Sequence, residues 1–151
     1  QQMLSIEIPE TFTPEGTIEW RVSLLLTMRG AYYSQKIDDG ELTLLQVDSR
    51  FISQPDFRRH IIDSLHRHGA GSGLDLTVLQ SDTKELTVDG EQVAFEFLTA
   101  EDQSTGEGRR LVDGVVSGVD DRPVLVSLWV DEDIWDEAAV IAMIESIGTS
   151  Q

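Results

Sequence analysis

The sequence predicts an α+β fold: a mainly antiparallel sheet of about six to eight strands with two principal helices packed on it. Three observations lead there. Apolar residues alternate with period two over much of the chain. Most links between those stretches are shorter than the dozen or so residues that a parallel crossover needs. Two further stretches repeat apolar residues at helical spacing between cap signals. The 151 residues are read as one domain. A chain of this length buries roughly 70% of its unfolded surface around one core, and no composition shift marks a boundary.

Residues 1–16 read as an extended lead-in. Ile6 and Ile8 alternate with Glu7, and Pro9 and Pro14 prevent a regular helix. Ile18, Trp20, Val22, Leu24, Leu26 and Met28 then occupy successive even positions. This predicts a strand with one buried face, with Leu25 as the exception in its phase. Gly30 is expected to break it, and residues 31–37 to form a second strand. Asp38-Asp39-Gly40 is a turn signal, and Leu42, Leu44 and Val47 mark a third strand.

The first helix is expected from Ser53 or Gln54 to Gly69. Pro55 suits its first turn and Asp56 complements the dipole. Phe57, Ile61 and Leu65 recur every four residues, and His66, Arg67 and His68 fall in the last turn. The Gly-Ser stretch 69–73 reads as a flexible connector, and Leu74, Leu76 and Val78 as a strand. A hairpin follows over residues 84–98, turning at Asp89-Gly90, a pair suited to a type I′ turn. Residues 101–108 are a polar loop. Two strands, 110–119 and 124–130, are joined by a tight turn at Asp120-Asp121-Arg122-Pro123. Gly114 and Gly118 signal a bulge or the close approach of another element. A second helix is expected over 133–147, with Asp131, Glu132, Asp133, Asp136 and Glu137 crowding its start, where the dipole favours anions.

Charge narrows the functional classes. The formal net charge is −17. Nucleic-acid binding draws on Lys and Arg to neutralise phosphates, and the only basic pairs are Arg58-Arg59 and Arg109-Arg110. Adsorption to an anionic membrane is opposed for the same reason. Residues 1–75 hold 11 acids and 7 bases, and residues 76–151 hold 17 acids and 4 bases. The acidic excess therefore belongs to the second half, and a candidate interaction surface is formed by Asp120, Asp121, Asp131, Asp133 and Asp136. A basic protein or a cation is the expected partner. The absence of cysteine excludes disulfides and thiolate chemistry. No apolar run is long enough to span a membrane. The start Gln1-Gln2-Met3 suggests that an anchor or signal segment preceded it, and hence a membrane-anchored or extracytoplasmic setting; a cytoplasmic one stays open.

Catalytic and metal motifs are weak. His66 and His68 are two apart, so on a helix they point different ways. With His60 they form the only histidine group, with no evident further ligand. Asp131, Asp133 and Asp120-Asp121 carry the oxygen ligands calcium prefers, but lack the acid ladder and mid-loop glycine of an EF-hand. No Gly-x-Ser-x-Gly elbow, phosphate loop or dinucleotide fingerprint is present, so no catalytic residue and no cofactor is assigned. Glu96, between Phe95 and Phe97, becomes an acid or base candidate if a helix covers it.

Three segments carry a family resemblance. They are Ile8-Pro9-Glu10-Thr11-Phe12, Val88-Asp89-Gly90-Glu91-Gln92-Val93-Ala94-Phe95-Glu96-Phe97 and Ile141-Ala142-Met143-Ile144-Glu145-Ser146-Ile147. Taken in order, they resemble the PsbP-like group. This includes a photosystem extrinsic subunit, a Ran-binding import factor and bacterial lipoproteins. The resemblance implies an α/β/α sandwich used mainly for binding, often outside the cytoplasm, and transfers no catalytic residue. The reading is therefore a non-enzymatic interaction domain with an acidic surface. The alternatives are a small-ligand carrier or enzyme using Glu96 and perhaps His60 in a pocket beside the sheet, and a calcium-binding or purely structural accessory domain.

Overall fold

The computed structural model describes residues 12–23, 26–35, 40–47, 54, 56–59, 61, 76–118 and 123–148. Among the described residues seven strands run in chain order: β1 (Phe12–Ser23), β2 (Leu26–Gln35), β3 (Gly40–Val47), β4 (Leu76–Val88), β5 (Glu91–Asp102), β6 (Gly108–Ser117) and β7 (Pro123–Asp131). They form one sheet in the order β1-β2-β3-β7-β6-β5-β4, with every neighbouring pair antiparallel.

The α/β/α sandwich with two principal helices is not what forms. Among the described residues the protein is mainly β. Residues 56–59 and 61 are helical, and the rest of the expected first helix lies outside the described residues. The expected helix over 133–147 is shorter and broken. A 3-10 turn spans Glu132–Ile134, and the α-helix is Glu137–Glu145. Two aspartates cause the break, because each takes a cap instead of a helical position. The Asp131 carboxylate accepts from the Asp133 backbone N–H, and the Asp136 carboxylate accepts from Ala139.

The strand boundaries also differ from the expectation. The alternation through Met28 is not one strand but a hairpin, with Ser23 paired to Leu26 and Trp20 to Met28. The register shifts between Arg21 and Ser23, and this extra residue keeps even positions facing even positions from Trp20↔Met28 onward, so the pattern hides the reversal. Gly30 does not break the chain; it lies inside β2, between Ile18 of β1 and Leu45 of β3. β1 takes in the last residues of the expected lead-in, and its register shifts between Pro14 and Gly16. A proline is tolerated there because β1 is an edge strand and Pro14 adjoins the irregularity. β4 is one long strand rather than two short ones.

The core explains the centre of the sheet. β7 is fourth of the seven strands, and its residues Val124 to Val130 are all buried. A strand covered on both faces reads as a nearly continuous apolar run, and Ser127 is the one polar residue in it. One face of the sheet carries Leu42, Leu44, Leu86, Val88, Phe95, Phe97, Val112, Val116, Val126 and Leu128. The Glu137–Glu145 helix and the residue beyond its cap close that face with Val140, Met143, Ile144 and Ile147. Burying each such side chain contributes roughly 1.5–3 kcal/mol. The other face holds a smaller apolar cluster of Leu98, Ala100, Leu111 and Trp129.

The hairpin at Asp89-Gly90 forms as expected, with φ of 52° and 83° at its two turn residues. Gly114 also meets the expectation of close approach. A Cβ there would stand 2.5 Å from atoms of the Phe95 ring, so only a glycine lets that ring lie on β6. No helix among the described residues is long and apolar enough to cross a membrane.

Candidate functional site

Strand alternation places Glu96, Asp113 and Ser127 side by side on the face opposite the Glu137–Glu145 helix. Glu96 pairs with Asp113 across β5–β6, and Asp113 with Ser127 across β6–β7. The helical segment at 56–59 brings Arg58 and Arg59 to them. Arg58 Nη2 lies 3.3 Å from Glu96 Oε1, and Arg59 Nη2 lies 3.5 Å from Asp113 Oδ2 and 3.8 Å from Glu96 Oε2. The Ser127 hydroxyl donates to Asp113 Oδ1 at 3.0 Å.

The Asp113 side chain has no exposed surface. Burial raises its pKa from 3.8 to about 6 by penalising the charged form. Arg59 and the Ser127 hydroxyl pull it down, while Glu96 adds a smaller upward push. Glu96 is 29% exposed and sits between two guanidinium groups.

A second ionic group lies at the other end of the same face. Arg109 stands within 3.7 Å of Asp102 and Asp131 and 3.5 Å of Glu107, and its guanidinium lies over the Trp129 ring. Arg109 Nε and Trp129 Nε1 are buried with no hydrogen-bond partner among the described residues. Asp102 also organises the turn that joins β5 to β6. Its carboxylate accepts from the N–H and hydroxyl of Ser104, and its carbonyl accepts from Gly106.

Beyond the Glu96–Asp113 end the sheet changes character. The β5–β6 ladder runs from Glu101↔Gly108 to Glu96↔Asp113 and stops there. Beyond it, residues 91–95 stay paired to β4, and residues 114–117 stay paired to β7. The sheet therefore forks. A cleft of about 440 Å³ opens in the fork, lined by Val88, Asp89, Glu91, Gln92, Val93 and Ala94 on one arm. Val115, Val116, Ser117 and Pro123 line the other arm, and Arg58 reaches in from the helical segment. Glu96 and Asp113 do not line it; they mark the point where the arms separate.

The residues expected to form an acidic surface come together only in part. Asp120 and Asp121 lie outside the described residues, as do His60, His66 and His68. Asp131 is half-buried against Arg109 and caps the 3-10 turn. Asp133 and Asp136 are exposed, and Asp136 caps the helix. Neighbouring acids are tied to the sheet: Glu132 by Arg110 at 3.3 Å and Glu137 by Lys84 at 2.6 Å. Phe97 and Trp135 meet edge-on beneath these pairs. Among the described residues, no three acidic or histidine side chains gather as a metal site.

Asp113 and the fork were not anticipated. The signal for Asp113 was present: an acid inside Leu111-Val112-Asp113-Gly114-Val115-Val116, where both strand faces are otherwise apolar or glycine. Comparison with protein-family models and with curated proteins finds no match.

Proposed function

We propose that this chain is a non-enzymatic interaction domain that receives a basic protein partner, with the forked end of the sheet as its binding site. The observation that carries the reading is the cleft between β5 and β6, open to solvent and bordered by the exposed Asp89 and Glu91. Its volume falls within the range of ligand-binding clefts. The acid–base candidates support binding over catalysis. Glu96 is committed to two arginines, and Asp113 is sealed from solvent and outside the cleft lining. The surplus of acids in residues 76–151 adds a field that draws basic partners. The PsbP-like resemblance is kept as a proposal of kinship and binding use, without its sandwich architecture.

The reading is tested by titrating the protein with a lysine-rich peptide at rising salt. Binding is expected to weaken steadily as the Debye length falls from about 10 Å at 0.1 M salt. It is expected to weaken further in a variant carrying Asp131→Lys, Asp133→Lys and Asp136→Lys, which reverses part of the steering field. Salt-insensitive binding, or no binding, contradicts it.

A further inference from the structure

We infer that the fork accepts an extended peptide as an added strand between β5 and β6, and that the peptide carries a basic residue at the mouth. This rests on the reading of the chain as a binding domain for basic partners and assigns the recognition chemistry.

In an antiparallel strand, peptide groups point alternately to the two flanking strands. Residues 91–95 use one edge on β4, and residues 114–117 use one edge on β7. Their other edges face each other across the cleft, past the last β5–β6 pair at Glu96 and Asp113. Exposed peptide edges are templates for another strand. Here two such edges line one opening, so an inserted chain can be bonded from both sides. The gap-lining stretches span about four residues, or roughly 13 Å at strand rise, which sets the length gripped.

Side chains then choose among occupants. Val93, Ala94, Val115 and Val116 give the walls an apolar character suited to small or β-branched side chains of the occupant. Among the described residues the one cation in the lining, Arg58, is held by Glu96 at 3.3 Å, and Glu91 stands exposed at the start of β5. That balance disfavours an anionic small molecule and favours a lysine or arginine beside Glu91. Phe95 braces the fork from the helix-covered face by resting on Gly114, so the opening is propped by packed side chains.

The test is a titration of the full chain with a blocked pentapeptide alternating lysine and valine, read by backbone amide NMR. The same peptide N-methylated at alternate amides serves as its partner probe. Shifts are expected at residues 91–95 and 114–117. The methylated peptide is expected to bind about tenfold more weakly, since it loses ladder donors. Ala94→Leu, which narrows the cleft from an exposed position, is expected to lose about tenfold while its circular dichroism stays unchanged. Glu91→Lys is expected to weaken binding less. Equal affinity for both peptides overturns the inference, as does concentration-dependent pairing of the free chain through the same residues. Shifts confined to the outer edge of β4 or to residues 131–137 overturn it too, while leaving standing a basic partner but not its place at the fork. No binding of any lysine-rich probe overturns both.

Discussion

The two ends of the β5–β6 pair are built from the same kinds of residue and behave differently. At one end the strands are tied by a turn. Asp102 accepts from Ser104 and Gly106, Arg109 joins Asp102 to Asp131, and the ladder is complete. At the other end the ladder stops at Glu96↔Asp113, and the strands leave with different partners. Both ends carry a buried carboxylate held by an arginine. The difference is connectivity: a covalent turn forces pairing at the Asp102 end, whereas at the Asp113 end each strand follows its own hairpin. An ionic group can therefore close a sheet or mark where it opens, depending on what the chain does next.

The largest expected effect comes from removing the brace at the open end. Phe95 is fully buried and sits on Gly114. Phe95→Ala is expected to cost about 3–5 kcal/mol in denaturant unfolding. It also alters the fork, so loss of peptide binding should accompany it.

Next is the closed end. Asp102→Ala removes a buried partner of Arg109 and the acceptor for Ser104. A loss of about 3 kcal/mol is expected from leaving the mostly buried guanidinium under-paired. Melting at two pH values checks it, and a loss below about 1 kcal/mol means that Asp131 and Glu107 suffice.

The smallest effect is a pH dependence at Asp113. The pKa of Asp113 is raised in the folded state, to about 6 from 3.8. The folded protein thus holds a proton that the unfolded chain releases. This contribution to stability is fully present below about pH 3.8 and is lost as pH rises through about 6, with a span on the order of 3 kcal/mol at most. Asp113→Asn abolishes it. Relative to that variant, the native chain is expected to gain stability between pH 7 and pH 5. A flat difference between the two over that range contradicts the assignment.

Much of the second half of the fold was legible in the residues. Asp89-Gly90 announces its turn because both positions adopt positive φ. The run Val124 to Val130 announces a strand buried on both faces. The first half was less legible. Apolar residues keep even positions from Ile18 to Met28 while the register shift in β1 absorbs the reversal into β2, and no glycine or asparagine marks it in the sequence. The helix start was misplaced because Asp136 is as good a cap as Asp131, and the chain uses both. Of the acids proposed as a surface, Asp131 and Asp136 serve as caps, a local role that composition does not separate from binding. The fork itself leaves no periodic mark. Residues 91–95 and 114–117 alternate as well as any paired strand, and only the register shows that they are not paired with each other.

Amide hydrogen exchange on the free protein tests that register most directly. The β5–β6 amides between Glu96 and Glu101 and between Gly108 and Asp113 should be protected to near the global stability. The amides of 92–95 and 114–117 that point into the cleft should exchange markedly faster, and slow down when the lysine–valine peptide is added. Equal protection along the whole length of both strands would mean that the sheet is closed, and would contradict both the fork and the binding site built on it.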